Sequence, residues 1–264
     1  MLRSLFARSL IIAATLAAGS TALVFANHSW GNYHWARTDN PLTLKVGDNV
    51  DPTWDQFLLY SVGAWNGSNV ILLTTAPGGT SAKTCKPTGG RIEVCNAKYG
   101  RNGWLGLAQI WASGDHITQA VTKVNDTYFS SGSYNTPAWR RMVMCQELGH
   151  DFGLDHQDEK FDNPNVGSCM DYTNDPDGGP GGASETDLSN EYPNAHDYAQ
   201  LTAIYQHLDS TTTATQRTNP GEAGQLDRGQ FGRLVRSTNG GRTELYELDL
   251  GNGRRAFTHV IWAE

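Results

Sequence analysis

The sequence predicts an α+β fold, and three observations lead to that expectation. Segments with alternating or β-branched residues, which are typical of strands, occupy most of the first half of the chain. Helical patterns are few, and one opens with Thr136-Pro137, a capping residue followed by a proline at the first helical position. The chain has 264 residues, of which 38% are hydrophobic, so it can build one sizeable core with a small appendage.

Local patterns predict the individual elements. Apolar residues at helical spacing after Pro52 predict a first helix that ends near Gly67. A second helix is expected from Thr136 to about Gly153, and Asn194 is expected to cap a third. Strands are expected at 42–46, 70–75, 91–98, 105–113 and 117–124, with a β-hairpin at 244–262 around Gly251-Asn252-Gly253.

The first residues have the pattern of a secretory signal peptide. Two arginines precede an apolar stretch at 10–25, and Val24-Phe25-Ala26 supplies small residues for cleavage. The stretch is short for a membrane span and is interrupted at 19–21, which argues against an anchor. We therefore expect an extracellular protein with no membrane association after cleavage. The expected organisation is a signal peptide at 1–26, a main domain at 27–209, a linker at 210–224 and a C-terminal β-hairpin extension at 225–264.

Charge and composition exclude one large class of partner. The formal net charge is −7, from 27 acidic and 20 basic residues, and the basic residues do not cluster. Nucleic acid is therefore not an expected partner. Only 18% of residues are charged, whereas the chain has 29 glycines and eight tryptophans. This composition favours a loop-rich, ordered extracellular protein.

All four cysteines lie in the part of the chain that is expected to be exported, where disulfides form. Four cysteines allow three pairings. We favour Cys85–Cys95, which closes a local loop, and this leaves Cys145–Cys169. A buried free thiol at either of the last two positions is the alternative.

The most informative segment runs from Gln146 to His156. On a helix, positions 146 and 150 lie on the same face, so Gln146 and His150 can hold one metal ion. Glu147 is adjacent, where a carboxylate can take a proton from water. Gly153 permits a sharp turn that returns His156 to the same ion. Three protein ligands with one open position are typical of a catalytic zinc site.

These residues resemble the signature of the metzincin metallopeptidases, His-Glu-x-x-His-x-x-Gly-x-x-His followed by a methionine turn. Glu147, His150, Gly153 and His156 match it, and Ser168-Cys169-Met170-Asp171-Tyr172 is similar to the methionine turn of astacins and serralysins. The resemblance extends more weakly over 42–208. It implies a twisted mixed β-sheet, an active-site helix beneath it, and a smaller C-terminal subdomain that contains the methionine turn and the final helix.

The resemblance also implies a function, a secreted zinc-dependent endopeptidase that acts on peptide or protein substrates as a monomer. Zinc would be held by Gln146, His150 and His156, and Glu147 would be the general base. Tyr172 would be a displaceable ligand or an oxyanion donor, and Met170 would form the floor of the site. The edge strand at 106–111 would pair with an extended substrate. A methionine turn under the helix would also bring Cys145 and Cys169 within disulfide range.

Gln146 departs from the signature, which has histidine there. An amide oxygen is a weaker zinc ligand than imidazole, so weaker zinc retention is expected. The alternative is a catalytically weak or inactive pseudo-protease that binds peptides or proteins. A zinc hydrolase with another substrate class is a third, weaker reading, since the sequence offers no other set of cleft residues.

Other residues with metal-binding side chains have simpler explanations. His116 and His196 are possible substitute ligands, but a turn and a helix cap account for them. Asp162, Asp175 and Asp177 offer oxygen ligands for Ca²⁺, yet their spacing matches no defined calcium loop. Solvated loop carboxylates are the favoured account.

Overall fold

The structure is a computed structural model that describes residues 28–130, 132–180, 186–215, 226 and 228–263. The expected signal peptide at 1–26 lies outside the described residues, as does the second half of the expected linker, 216–224. Within the described ranges, no helix is both long and apolar enough to span a bilayer.

The described residues form a mixed β-sheet and four α-helices, an α+β architecture. The strands are β1 (His34–Trp35), β2 (Leu42–Asn49), β3 (Ile71–Pro77), β4 (Arg91–Ala97), β5 (Trp104–Ser113), β6 (His116–Asn125), β7 (Arg233–Thr238), β8 (Thr243–Gly251) and β9 (Arg254–Trp262). The helices are α1 (Asp55–Trp65), α2 (Asp126–Phe129), α3 (Pro137–His150) and α4 (Ala195–Ile204).

The sheet has the strand order β3-β2-β4-β6-β5-β9-β8-β7, with β1 beside β6. The pairs from β3 through β2 and β4 to β6 are parallel. The pairs from β6 through β5, β9 and β8 to β7 are antiparallel. The expected C-terminal hairpin therefore continues the main sheet across β5.

This pairing corrects one expectation from the sequence, since β5 is not an edge strand. Its residues pair with β6 on one side and with β9 on the other. The local alternation that identified β5 carries no information about which distant strand lies beside it. The segment that forms β7, and the single turn α2, also had no clear signal in the sequence.

The central strands are buried on both faces, as near-continuous apolar strands usually are. On one face, Ile110 of β5 and Phe257 and Ile261 of β9 belong to the main core, which includes residues of α1 and α3. On the other face, Trp111 of β5 and Val260 of β9 belong to a second cluster, together with the cysteine loop. Because strand residues alternate between faces, His259 points to the same side as Phe257 and Ile261, the side of α3.

Local capping predictions are confirmed. The Thr136 hydroxyl accepts a hydrogen bond from the Trp139 amide at 3.2 Å and Pro137 begins α3. Asn194 and Asp197 form a capping box at the start of α4. Two disulfides join Cys85 to Cys95 and Cys145 to Cys169, the pairing favoured from the sequence.

Candidate metal centre

Helix α3 carries three of the candidate residues in its last two turns. Gln146, Glu147 and His150 are all fully buried there. The helix ends at His150, and Gly153 follows with a φ of 101°, a conformation that favours glycine. A Cβ at Gly153 would lie 2.4 Å from the carbonyl oxygen of Tyr33, so the turn also needs glycine for space. The chain then returns His156 towards His150.

His150 and His156 converge through their Nε2 atoms, which lie 3.2 Å apart. Nδ1 of His150 lies 2.9 Å from the carbonyl oxygen of Leu154, so it carries the proton and leaves the Nε2 lone pair free. The imidazole planes meet at 78°. Two imidazoles whose Nε2 atoms converge in this way are suited to bind one transition-metal ion.

A third histidine joins this pair from an element that the sequence analysis did not connect to the site. His259 of β9 lies with its ring centroid 3.9 Å from that of His150 and 4.6 Å from that of His156. One candidate ligand atom from each of the three histidines lies within 4.8 Å of the other two. His259 is fully buried, and neither ring nitrogen has a hydrogen-bond partner among the described residues. The available signal was one histidine between apolar residues on a face of a predicted strand.

Burial favours the neutral form of His150 and His259, which is the form that binds a metal. The pKa of His150 is well below its usual value because of desolvation, with smaller contributions from His259 and His156. Desolvation, followed by the proximity of His156, lowers the pKa of His259 to about 4.

Gln146 occupies the position of the signature's first histidine. Its amide nitrogen is hydrogen-bonded, whereas its amide oxygen is not, within the described part of the chain. The Nε2 group donates to the carbonyl oxygens of Cys169 at 2.8 Å and Asp171 at 3.2 Å. The Oε1 atom is buried and accepts no hydrogen bond from any residue in the described ranges. A buried acceptor without a donor is costly, so Oε1 is the part of Gln146 that is suited to a cation.

Glu147, the next residue along α3, also has unsatisfied buried oxygens. Both carboxylate oxygens are buried, and neither has a partner in the part of the chain that the structure describes. Desolvation, with a smaller contribution from Asp151, raises the pKa of Glu147 well above its usual value. A Cβ at Gly106 of β5 would lie 2.6 Å from Glu147 Oε1, so glycine at that position makes room for the carboxylate. A nearby cation would favour the ionised form.

The methionine-turn segment lies against the same helix. A Cβ at Gly149 would lie 2.6 Å from the sulfur of Met170, which shows how closely the Met170 side chain packs against the backbone of α3. The Cys145–Cys169 disulfide joins the residues directly before Gln146 and Met170. Tyr172 packs its ring 5.2 Å from that of His156.

The hydroxyl of Tyr172 points away from the histidines. It donates a 2.7 Å hydrogen bond to the carbonyl oxygen of Arg242, the residue directly before β8. Tyr172 is buried, and desolvation raises the pKa of its hydroxyl. The structure therefore engages this group with the C-terminal strands.

The donor set fits a zinc ion. Zinc prefers imidazole nitrogen, accepts oxygen, and is usually bound by four groups in structural sites or three in catalytic sites. His150, His156 and His259 supply converging nitrogens, and Gln146 supplies an unsatisfied oxygen on the adjacent turn of α3.

The remaining metal candidates lie elsewhere. His116 Nε2 lies 3.2 Å from Asp209 Oδ1, and His196 Nδ1 lies 3.0 Å from His28 Nε2. Neither belongs to the group around His150. Within the described residues, no group of side chains suited to hold a metal includes Asp162, Asp175 or Asp177, so calcium has no support there.

Comparisons with known proteins give limited information. No protein-family model matches the sequence, and the search of curated proteins found no match. Among solved structures, the chain is similar to myroilysin, with a TM-score of 0.36 and 13% identity over 65% of this chain and 96% of that one. It is also similar to high choriolytic enzyme 1, a hatching-enzyme zinc protease from Oryzias latipes (medaka fish), with a TM-score of 0.37 and 11% identity over 66% of this chain and 94% of that one. At TM-scores below 0.5, these likenesses establish neither family nor function.

Proposed function

We propose that this chain is a secreted, zinc-dependent endopeptidase of the metzincin type. The observation that carries the proposal is the convergence of His150 and His156, through the Gly153 turn, beside the unsatisfied carboxylate of Glu147. A structural role alone would not require an unpaired, fully buried glutamate beside two facing imidazoles. The substrate is a peptide or protein, and the working unit is a monomer.

The proposed roles follow from position. His150 and His156 hold the ion, and Gln146 completes the three-ligand set through Oε1. When bound, zinc supplies Lewis acidity, which makes water more acidic and polarises the scissile carbonyl. Glu147 takes a proton on its carboxylate from the attacking water and passes it to the departing amine. Met170 supports the helix from below through its contact at Gly149.

Tyr172 is proposed to stabilise charge on the substrate oxygen. Its ring already contacts His156, so rotation of the side chain away from the Arg242 carbonyl would bring the hydroxyl towards the ion. The raised pKa keeps the hydroxyl protonated, so it acts as a hydrogen-bond donor.

One observation favours the second candidate, an inactive pseudo-protease. Glu147 and His150 are fully buried, and His259 closes the group from the side of β9. A metal site closed by protein on all sides is typical of a structural ion. In that case the ion would stabilise a binding module that no longer cleaves peptides.

Metal analysis and a paired cleavage assay test the proposal. Purified protein that is loaded with zinc and then dialysed to remove free metal should retain about one zinc per chain, as a site of this kind requires. Casein cleavage should be measured for the parent and for His259→Leu, each with and without Glu147→Gln. Cleavage that disappears with Glu147→Gln, while zinc content stays the same, supports the enzyme. Absence of zinc, or of any Glu147-dependent cleavage in both backgrounds, refutes it, and retained zinc without cleavage identifies the pseudo-protease.

A further inference from the structure

We propose that His259 is an additional protein ligand of the zinc ion, and that strands β8 and β9 hold the site in a closed, latent state. The inference rests on the proposed function, since it concerns access to that site. Gln146, His150 and His156 would then be three ligands, and His259 would fill the position that a catalytic site leaves for water and substrate.

The geometry of β9 delivers His259 to this position. In the antiparallel pair, His259 lies opposite Ala108, and Ile261 lies opposite Gly106. Directly opposed residues share a face, so His259 projects towards α3 beside two of the smallest side chains in β5. These small residues leave room for an imidazole against His150, where the two rings stack at 3.9 Å.

His259 carries the signs of an absent partner. Neither ring nitrogen makes a hydrogen bond within the described residues, although the residue is fully buried, and Asp155 Oδ1 lies 3.6 Å from Nε2, beyond hydrogen-bond distance. An unpaired buried imidazole is unfavourable unless something binds it. Gln146 Oε1, on α3, is also buried without a hydrogen-bond donor in the described residues. One cation among these groups would satisfy Gln146 Oε1, one ring nitrogen of His259, and the facing nitrogens of His150 and His156.

Two further contacts hold the C-terminal strands over the site. Arg236 of β7 forms an ion pair with Asp155, the residue directly before His156, with one hydrogen bond of 2.7 Å. Oδ1 of the same Asp155 also lies 3.6 Å from Nε2 of His259 in β9. The Arg242 carbonyl oxygen accepts a hydrogen bond from the Tyr172 hydroxyl. The C-terminal segment therefore contacts both the loop that carries Asp155 and His156 and the Tyr172 hydroxyl, which is proposed to stabilise the substrate oxygen.

The pairing of β9 also occupies the path of a substrate. An extended peptide binds a sheet by adding a strand to a free edge. In β5, the edge that the sequence analysis assigned to substrate is paired with β9 from Trp104 to Ser113. A peptide could therefore reach Glu147 only after β9 moves aside. Strand β9 therefore closes both the metal site, through His259, and the edge of β5 that would bind a peptide.

Zinc affinity tests the ligand, independently of catalysis. Zinc dissociation should be followed by competition with a chelator for the parent, His259→Phe and His259→Leu. Loss of a direct ligand should weaken affinity at least about tenfold, since even indirect changes near metal sites have effects of that size. His207→Phe is the matched control, because His207 is half exposed and lies outside the site's histidine group. Unchanged affinity in both folded His259 variants would show that His259 is not a ligand.

Cleavage tests the closure. The double variant His259→Leu/Arg236→Gln removes the metal contact and the ion pair. It should cleave casein at least about tenfold faster than the parent at saturating zinc, because a competent state that is a minor population of about 10% or less would become the main one. The rise must vanish with Glu147→Gln. Weaker zinc binding with no gain in cleavage would overturn latency, leaving His259 as a resident ligand. Zinc-free protein without cleavage in every form would instead reject the proposed function itself.

Discussion

Gln146 combines two roles that a histidine would divide between its ring nitrogens. Its amide nitrogen donates to the carbonyl oxygens of Cys169 and Asp171, and its amide oxygen remains unsatisfied on the other side. A metal-bound histidine usually donates its second nitrogen to a carbonyl or a carboxylate in the same way. Glutamine at this position therefore keeps the contacts with Cys169 and Asp171 and offers a weaker metal donor than histidine would.

Substitutions at Gln146 separate these two roles. Gln146→Ala should lower zinc affinity, because it removes Oε1 and leaves two buried carbonyl oxygens without a donor. Gln146→His should raise affinity above the parent, because imidazole is a softer and more basic donor. Chelator competition on the parent and both variants measures the order. Equal affinity in the parent and Gln146→Ala would show that Gln146 does not bind the ion.

At the scale of elements, α3 packs closely between α1 and the segment that carries Met170, and this packing requires glycine at position 149. A Cβ at Gly149 would lie 2.6 Å from Met170 Sδ and 2.8 Å from the Trp65 ring. Trp65 also donates its indole N–H to the carbonyl oxygen of Cys145 at 3.0 Å. The floor of the candidate site is thus set by close packing and by the Cys145–Cys169 bond.

Two helical glycines provide a matched pair of substitutions. Gly149→Ala should destabilise the protein by about 1–3 kcal/mol, because the added methyl group overpacks a dense contact. Gly63→Ala in α1 should stabilise it by up to about 1 kcal/mol, since a Cβ there meets no atom within 4 Å and alanine favours helix. Urea unfolding of the two variants measures the difference. A Gly149→Ala protein as stable as Gly63→Ala would contradict the packing described here.

Local signals in the sequence account for most of the elements that carry the candidate site. Thr136-Pro137 fixes the start of α3 and Asn194 that of α4, because capping depends on residues within one turn. The Gly153 turn is also local. By contrast, β7 was missed because its side chains are mostly exposed and show little alternation. His259 was missed because its neighbours are set by strand register, which local sequence does not reveal.

At the scale of the whole molecule, an ion pair that is more buried than a usual surface pair joins β7 to the loop before His156, in addition to the pairing of β9 with β5. The Asp155 side chain is only 12% exposed and that of Arg236 is 35% exposed. Loss of Arg236 would leave a largely buried carboxylate beside the metal site without its main partner.

Loss of the Arg236 side chain should loosen the C-terminal strands without unfolding the domain. In Arg236→Gln, amide hydrogen exchange in β9 should become faster, while that in β2 and β4 should stay as in the parent. Arg233→Gln is the control, because its pair with Glu247 has a 75% exposed arginine and such pairs contribute little. Mass spectrometry of peptides from β9 provides the measurement. Equal exchange rates in the two variants would show that the Asp155 contact does not fasten these strands.

The pairing of β5 with β9 has a consequence for the order of events during folding. Ile110 lies opposite Phe257, so the contact closes a very long loop in the chain. Contacts between residues so distant in sequence form late, because the loss of chain entropy precedes the gain from pairing. The parallel strands and α3 can therefore assemble before β9 arrives. If the proposed closure holds, zinc would enter during that interval and docking of β9 would then slow its escape, so metal retention would depend on the rate of strand release as well as on the strength of the ligands.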